Sequence, residues 1–285
     1  MPINKNLSSI LNIIMIVLLG IICFDICIYL RFIGKAYKNI YTSLTMIVIS
    51  VVIYTHFKNY VKRKEVIKSK YLNPKKMNWK LKVIIIYLGL IFKNTLSQPF
   101  PNESANQKRV EESQKGMDIY TALIDGAISP SIIEEICFRG ILFIIILASS
   151  SYLFNSSKKR FDWIGLITFF VFSSMFFGFV HVAKSYDIQN IGGYVISGAV
   201  FSLIFLLTRD LKVPIILHAL GNALSILARH DMQYVNYILI FTLLMTCLYS
   251  MLRLYKKIEA YGSYIEYRIT KKYYEKKLRK DTEIH

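Results

Sequence analysis

Ile132–Gly140 reads IIEEICFRG and lies inside a long apolar run. Three ionisable side chains, Glu134, Glu135 and Arg139, fall within six residues there. In hydrocarbon such groups are costly, from about 2.5–3.5 kcal/mol each at the bilayer centre upward. Where spans do carry them, they face the bundle interior and mark function. The stretch therefore raises two questions together: whether the chain around it is a membrane bundle, and what the charges do inside one.

The surroundings address the first question. Of 285 residues, 54% are hydrophobic, more than a soluble domain of this length calls for. The expected fold is all-α, a polytopic transmembrane helical bundle. A span takes about 20 mostly apolar residues, and that rule gives about eight candidates. They run roughly over Ile10–Leu30, Tyr41–Phe57, Val83–Leu96, Ser129–Phe154, Trp163–Val182, Ile191–Leu207, Val213–Leu227 and Tyr234–Tyr255. The first apolar stretch is too long for a signal-peptide core and has no small-x-small cleavage site, so it reads as a retained span. The chain divides into N-terminal spans with a basic loop (1–118), a core around the charged motif (119–232), and a last span with a basic tail (233–285).

The net charge of +18 suggests nucleic acid at first sight. The distribution argues against that partner, because the lysines and arginines crowd into loops between apolar spans. This is the positive-inside pattern, and it favours contact with anionic lipid headgroups at the basic loops. The loop from Lys58 to Lys82 and the stretch SSKKRFDW (156–163) then face the cytoplasm, as do both termini. Ser97–Asp118, of mixed sign, faces outward; Arg31, Lys35 and Lys38 on that side run against the bias. The tail YGSYIEYRITKKYYEKKLRK reads either as an amphipathic helix on the inner leaflet or as a solvated tail. The four cysteines, Cys23, Cys27, Cys137 and Cys247, all lie in apolar spans and read as small buried hydrophobes, not disulfides.

The polar residues within spans are Asp25, Asp125, Glu134, Glu135, Arg139, His181 and His218, with Asn222 as an uncharged addition. Glu135 and Arg139 are four apart, share a helix face and can pair. Glu134 is turned by about 100° from Glu135, so it cannot use Arg139 in the same way. One carboxylate is thus held structurally, while the other is freer to act as a general base. In FFGFVHVAKS, Phe177 and His181 lie one turn apart and Gly178 permits close helix approach. In VPIILHALGNAL, His218 and Asn222 share a face, Pro214 suits a first turn, and Gly221 leaves room for a neighbouring backbone. Singly, each histidine reads as well as a helix–helix hydrogen bond. Together, three spans supply a base for water, a histidine to hold it, and donors for an oxyanion.

The ordered trio EEICFR (Glu134–Arg139), FGFVH (Phe177–His181) and HALGN (His218–Asn222) resembles the CPBP family of intramembrane proteases. That family includes the CAAX prenyl endopeptidases and the bacterial Abi proteins linked to bacteriocin immunity. The resemblance covers roughly Ala122–Leu227. It implies a membrane bundle with a sunken active site, in which Glu134 activates water with His181. His218 and Asn222 would bind the oxyanion, while Glu135, Arg139 and Phe177 would shape the site. It also leaves zinc open, held by Glu134, His181 and His218. The chain has no HExxH and Asn222 is a poor zinc ligand, so no cofactor is favoured and the glutamate mechanism is preferred.

The implied partner is a peptide or membrane-protein substrate in the cell membrane. The Lys-, Ile- and Asn-rich composition suggests a bacterial source, where a leader or pheromone-type peptide suits better than a prenylated CAAX tail. The alternative is a non-catalytic scaffold or immunity protein that binds a peptide or a sensor kinase.

Overall fold

A computed structural model describes residues 3–37, 39–100, 105–153, 159–183 and 186–282. Among them the secondary structure is helical throughout. Lys38, Glu103, Phe154 and the Ser156–Lys158 part of the basic stretch lie outside the described residues.

In chain order, α1 is Ile3–Tyr37, α2 Ile40–Lys64, α3 Ser69–Leu72, α4 Trp79–Ser97, and α5 Ala105–Gln114. Next comes a nearly unbroken helical run: α6 (Ile119–Leu123), a π turn (Ile124–Ile128), α7 (Ser129–Glu135), a second π turn (Ile136–Ile141), and α8 (Leu142–Leu153). Then follow α9 (Lys159–Ala183), a 3₁₀ turn, α10 (Ile191–Thr208), α11 (Lys212–Arg229) and α12 (Gln233–Thr282). Local chemistry sets several starts. Asn39, Asn78 and Asp118 cap α2, α4 and α6 by accepting from backbone N–H groups two or three residues on.

Each of the eight expected spans falls on helix. Five helical stretches are long and apolar enough to cross a membrane: Ser8–Gly34, Ile40–Lys64, Trp163–Ala183, Ile188–Thr208 and Gln233–Tyr273. The chain is therefore a multi-pass membrane bundle. The third, fourth and seventh expected spans lie outside this set. Lys80, Lys82 and Lys93 in α4, and Lys212, His218, Asn222 and Arg229 in α11, lower the apolarity of the third and seventh, while the π turn at Ile136–Ile141 divides the fourth into helices of 7 and 12 residues. The tail is a continuation of α12, whose 50 residues reach about 75 Å.

The run from α6 to α8 lies at the centre, against α1, α2, α9 and α11. A phenylalanine cluster fills the core. Phe143 meets Phe169 and Phe205 edge-on, and Phe138 meets Phe177 at 5.2 Å. The helix α9 packs most closely on α10, and Gly198 permits it: a Cβ there would lie 2.9 Å from the Ser174 carbonyl oxygen. Loops collect at two ends. At one, Lys75 N–H donates to the Thr208 carbonyl (3.0 Å) and Lys82 pairs with Asp210 (2.6 Å). At the other, Ala105 N–H donates to Asp187 (2.7 Å) and Arg229 donates to Gln114 (2.7 Å). Helices alternating in direction sort their loops in this way.

Candidate active site

Glu134 and Glu135 sit between the two π turns of the central run, with Pro130 in the first turn of α7. Such turns shift helical register locally and recur at functional sites. Glu135 and Arg139 pair as their spacing predicts, at 3.1 Å, with both side chains fully buried. Arg139 also donates to the Gly198 carbonyl at 2.8 Å. Its guanidinium lies over the rings of Phe177 (4.7 Å) and Phe201 (5.4 Å). A buried arginine is thus matched by one carboxylate, one carbonyl and aromatic faces.

Glu134 points elsewhere, but it is not left without a counter-charge. Arg31, from α1, approaches its Oε1 at 3.5 Å. Its Oε2 faces His181 Nε2 at 3.6 Å and His218 Nε2 at 3.9 Å. The opposite ring nitrogens are anchored. His181 Nδ1 lies 2.7 Å from the Phe177 carbonyl, which can only accept, so Nδ1 carries the hydrogen. His218 Nδ1 lies 3.0 Å from Glu135 Oε1 and donates to it in the same sense. In the neutral imidazoles both Nε2 atoms are then lone-pair acceptors, aimed at a carboxylate oxygen that is itself an acceptor. That oxygen is buried and has no hydrogen-bond partner. Three converging acceptors call for a group that donates to them: a water, an added proton or a cation.

The rings are held in place. His181 stacks on Tyr194 at 4.8 Å and lies 4.3 Å from Phe177; His218 stacks on Phe201 at 4.7 Å. Phe177 therefore touches both Arg139 and the first histidine. Asn222, one turn beyond His218, lines a cavity of about 490 Å³ together with Glu134, His181 and His218. Helix α5 contributes Gln107, Glu111 and Gln114 to its walls, at the Ala105–Asp187 end of the bundle.

Sequence reading missed four contributors. Arg31 read as a loop charge, yet it reaches the acid. Lys93 lies within the expected span Val83–Leu96, where the rule that singles out buried ionisable groups applied to it as much as to Glu134. Its amine occupies the space beside Gly221, 3.3 Å from where a Cβ would stand. Gly221 thus makes room for a lysine, not for a neighbouring backbone. Tyr194 and Gly198 carry no sequence signal, since stacking and a lent carbonyl depend on which helices meet. Of the other polar residues, Asp125 is buried and accepts from the Ser43 hydroxyl at 3.0 Å. Asp25 departs from expectation: it is exposed on α1, away from the interior.

Among the described residues no group of three or more His, Cys, Asp and Glu side chains is arranged as a metal site. The donor chemistry of Glu134, His181 and His218 nonetheless suits zinc. Each imidazole is fixed through Nδ1 by an acceptor and turns its Nε2 inward, which is how metal-ligating histidines are held.

No curated protein and no solved structure matches the chain. Residues 117–224 match the family model described as type II CAAX prenyl endopeptidase Rce1-like. The matched stretch contains Glu134, Glu135, Arg139, Phe177, His181, His218 and Asn222. That match supports a likeness of residues 117–224 to the CPBP/CAAX intramembrane proteases.

Proposed function

We propose that this chain hydrolyses a peptide bond within a membrane-associated peptide, of leader or CAAX-like type, with water activated by Glu134. The observation that supports it most is the convergence of His181 Nε2 and His218 Nε2 on Glu134 Oε2, at 3.6 and 3.9 Å. A water seated there donates one proton to Glu134 and the other to His181. As its oxygen bonds to the substrate carbonyl carbon, Glu134 takes the first proton and later delivers it to the leaving amine as the C–N bond breaks. The oxyanion faces the Asn222 amide and His218. His218 donates through Nε2 when it has taken up a proton from solvent before the attack, and the Glu135 carboxylate at Nδ1 stabilises that imidazolium, which keeps its proton through the cycle. Glu135, Arg139 and Phe177 hold the frame.

The catalytic unit is 119–232, with Arg31 and Lys93 supplied by the N-terminal part. Zinc, when bound, would be held by Glu134, His181 and His218 and would supply Lewis-acid polarisation there; the glutamate reading requires none. With both termini cytoplasmic in a bacterial cell membrane, the cavity opens toward the outer face.

The test is membrane-fraction proteomics of cells carrying the wild type against Glu134→Gln, with a zinc-chelator arm. The expected result is at least one peptide that goes uncut in the variant and is still cut with chelator present. Unchanged peptide profiles at equal expression would leave only a non-catalytic scaffold. Loss of cutting with chelator, restored by zinc, would move the reaction to the metal.

A further inference from the structure

Asp25 sits in the apolar window Ser8–Gly34 of α1, nine residues from its end. That is about 13 Å along the helix, well inside a hydrocarbon core about 30 Å thick. It shares the outward face with Ile21, Ile22, Ile26 and Tyr29, all more than 40% exposed. No hydrogen bond or ion pair to Asp25 occurs among the described residues. A carboxylate in hydrocarbon is expensive, and it is ordinarily paired or turned inward. Here it is neither.

The surface around it is a trough of about 440 Å³. Helix α8 forms the floor with Leu142, Ile145 and Ile146; α1 and α9 pack on α8 and rise as the walls. Phe24, stacked on Phe176 at 5.9 Å, closes the end nearer the active site. Apart from Asp25 and Thr168, the lining is apolar. Three helices with an open seam between the outer two are the shape a fourth helix fills, and a single acid at mid-depth selects what that helix carries.

We propose that this trough docks one transmembrane helix of another membrane protein, bearing a Lys or Arg at the depth of Asp25. The charge argues for such a partner over a second copy of this chain, whose own α1 would set carboxylate against carboxylate. The site is separate from the catalytic groups: Arg31, six residues on, lies about 120° around α1 from Asp25 and contacts Glu134.

The experiment places the full chain in lipid nanodiscs with a dye-labelled synthetic polyleucine helix of about 22 residues. The helix carries either one central Lys or Leu alone, and association is read by energy transfer. The Lys helix should bind about tenfold more tightly than the Leu helix. Asp25→Asn, verified as folded by its elution profile, should erase that preference, and Ile146→Trp, which fills the floor, should weaken binding of the Lys helix. Equal binding of the two helices to the wild type overturns the proposal, as does a preference that survives Asp25→Asn or binding that ignores Ile146→Trp.

Discussion

Arg139 shows how much one side chain can organise. Its guanidinium answers the Glu135 carboxylate, takes the Gly198 carbonyl and packs under Phe177. Arg139→Ala strips a fully buried carboxylate of its cation, and breaking such a pair costs about 3–5 kcal/mol. The expected outcome is a large drop in melting temperature in detergent, together with loss of cleavage. Arg139→Lys keeps the charge but lacks the planar fork, so it should restore part of the stability and little of the activity. Glu134→Gln differs in kind. It is nearly isosteric, so the protein should fold and melt close to the wild type, while peptide cleavage in proteoliposomes falls by about 10²-fold or more. A Glu134→Gln protein that still cuts at the wild-type rate would remove Glu134 from the chemistry.

Packing between helices is what carries the side chains to one another. Helix α9 brings His181 and α10 brings Tyr194 and the Gly198 carbonyl, and they meet because Gly198 has no side chain. A valine there would press on the Ser174 carbonyl oxygen, which would lie 2.9 Å from its Cβ. Gly198→Val should destabilise by about 1–3 kcal/mol as the helices part. Arg139 should loosen with them, so activity should fall by more than the change in melting temperature alone would suggest; kcat and melting curves on the same preparation check it. The central run is the other element with a special role. Two π turns flank the glutamates, and the i, i+4 pair Glu135–Arg139 survives across the second of them.

The bundle as a whole separates a buried cluster of polar side chains from a long polar extension. Beyond Tyr255 the described side chains of α12 are exposed, and they touch nothing that builds the site. A chain ended after Ile258 should keep its cleavage rate within about twofold, since exposed positions away from a site contribute little. It should also lose part of its attraction to anionic liposomes. Co-sedimentation with phosphatidylglycerol vesicles at low and high salt measures that loss, which screening by salt should mimic in the full chain. A tail deletion that abolished cleavage would show that α12 reaches the site through contacts outside this arrangement.

Much of this protein is determined by sequence alone. Apolar run length forces helices, because unpaired backbone groups cannot be left in lipid. Ionisable residues inside those runs announce a site, and a four-residue spacing pairs Glu135 with Arg139. What the linear chain could not decide is which groups converge across helices. Arg31 beside Glu134, Lys93 beside Gly221, Glu135 shared between Arg139 and His218, and the outward turn of Asp25 all depend on how separate helices rotate and pack. That rotation is fixed by side-chain packing summed over the whole bundle, and local spacing carries no record of it.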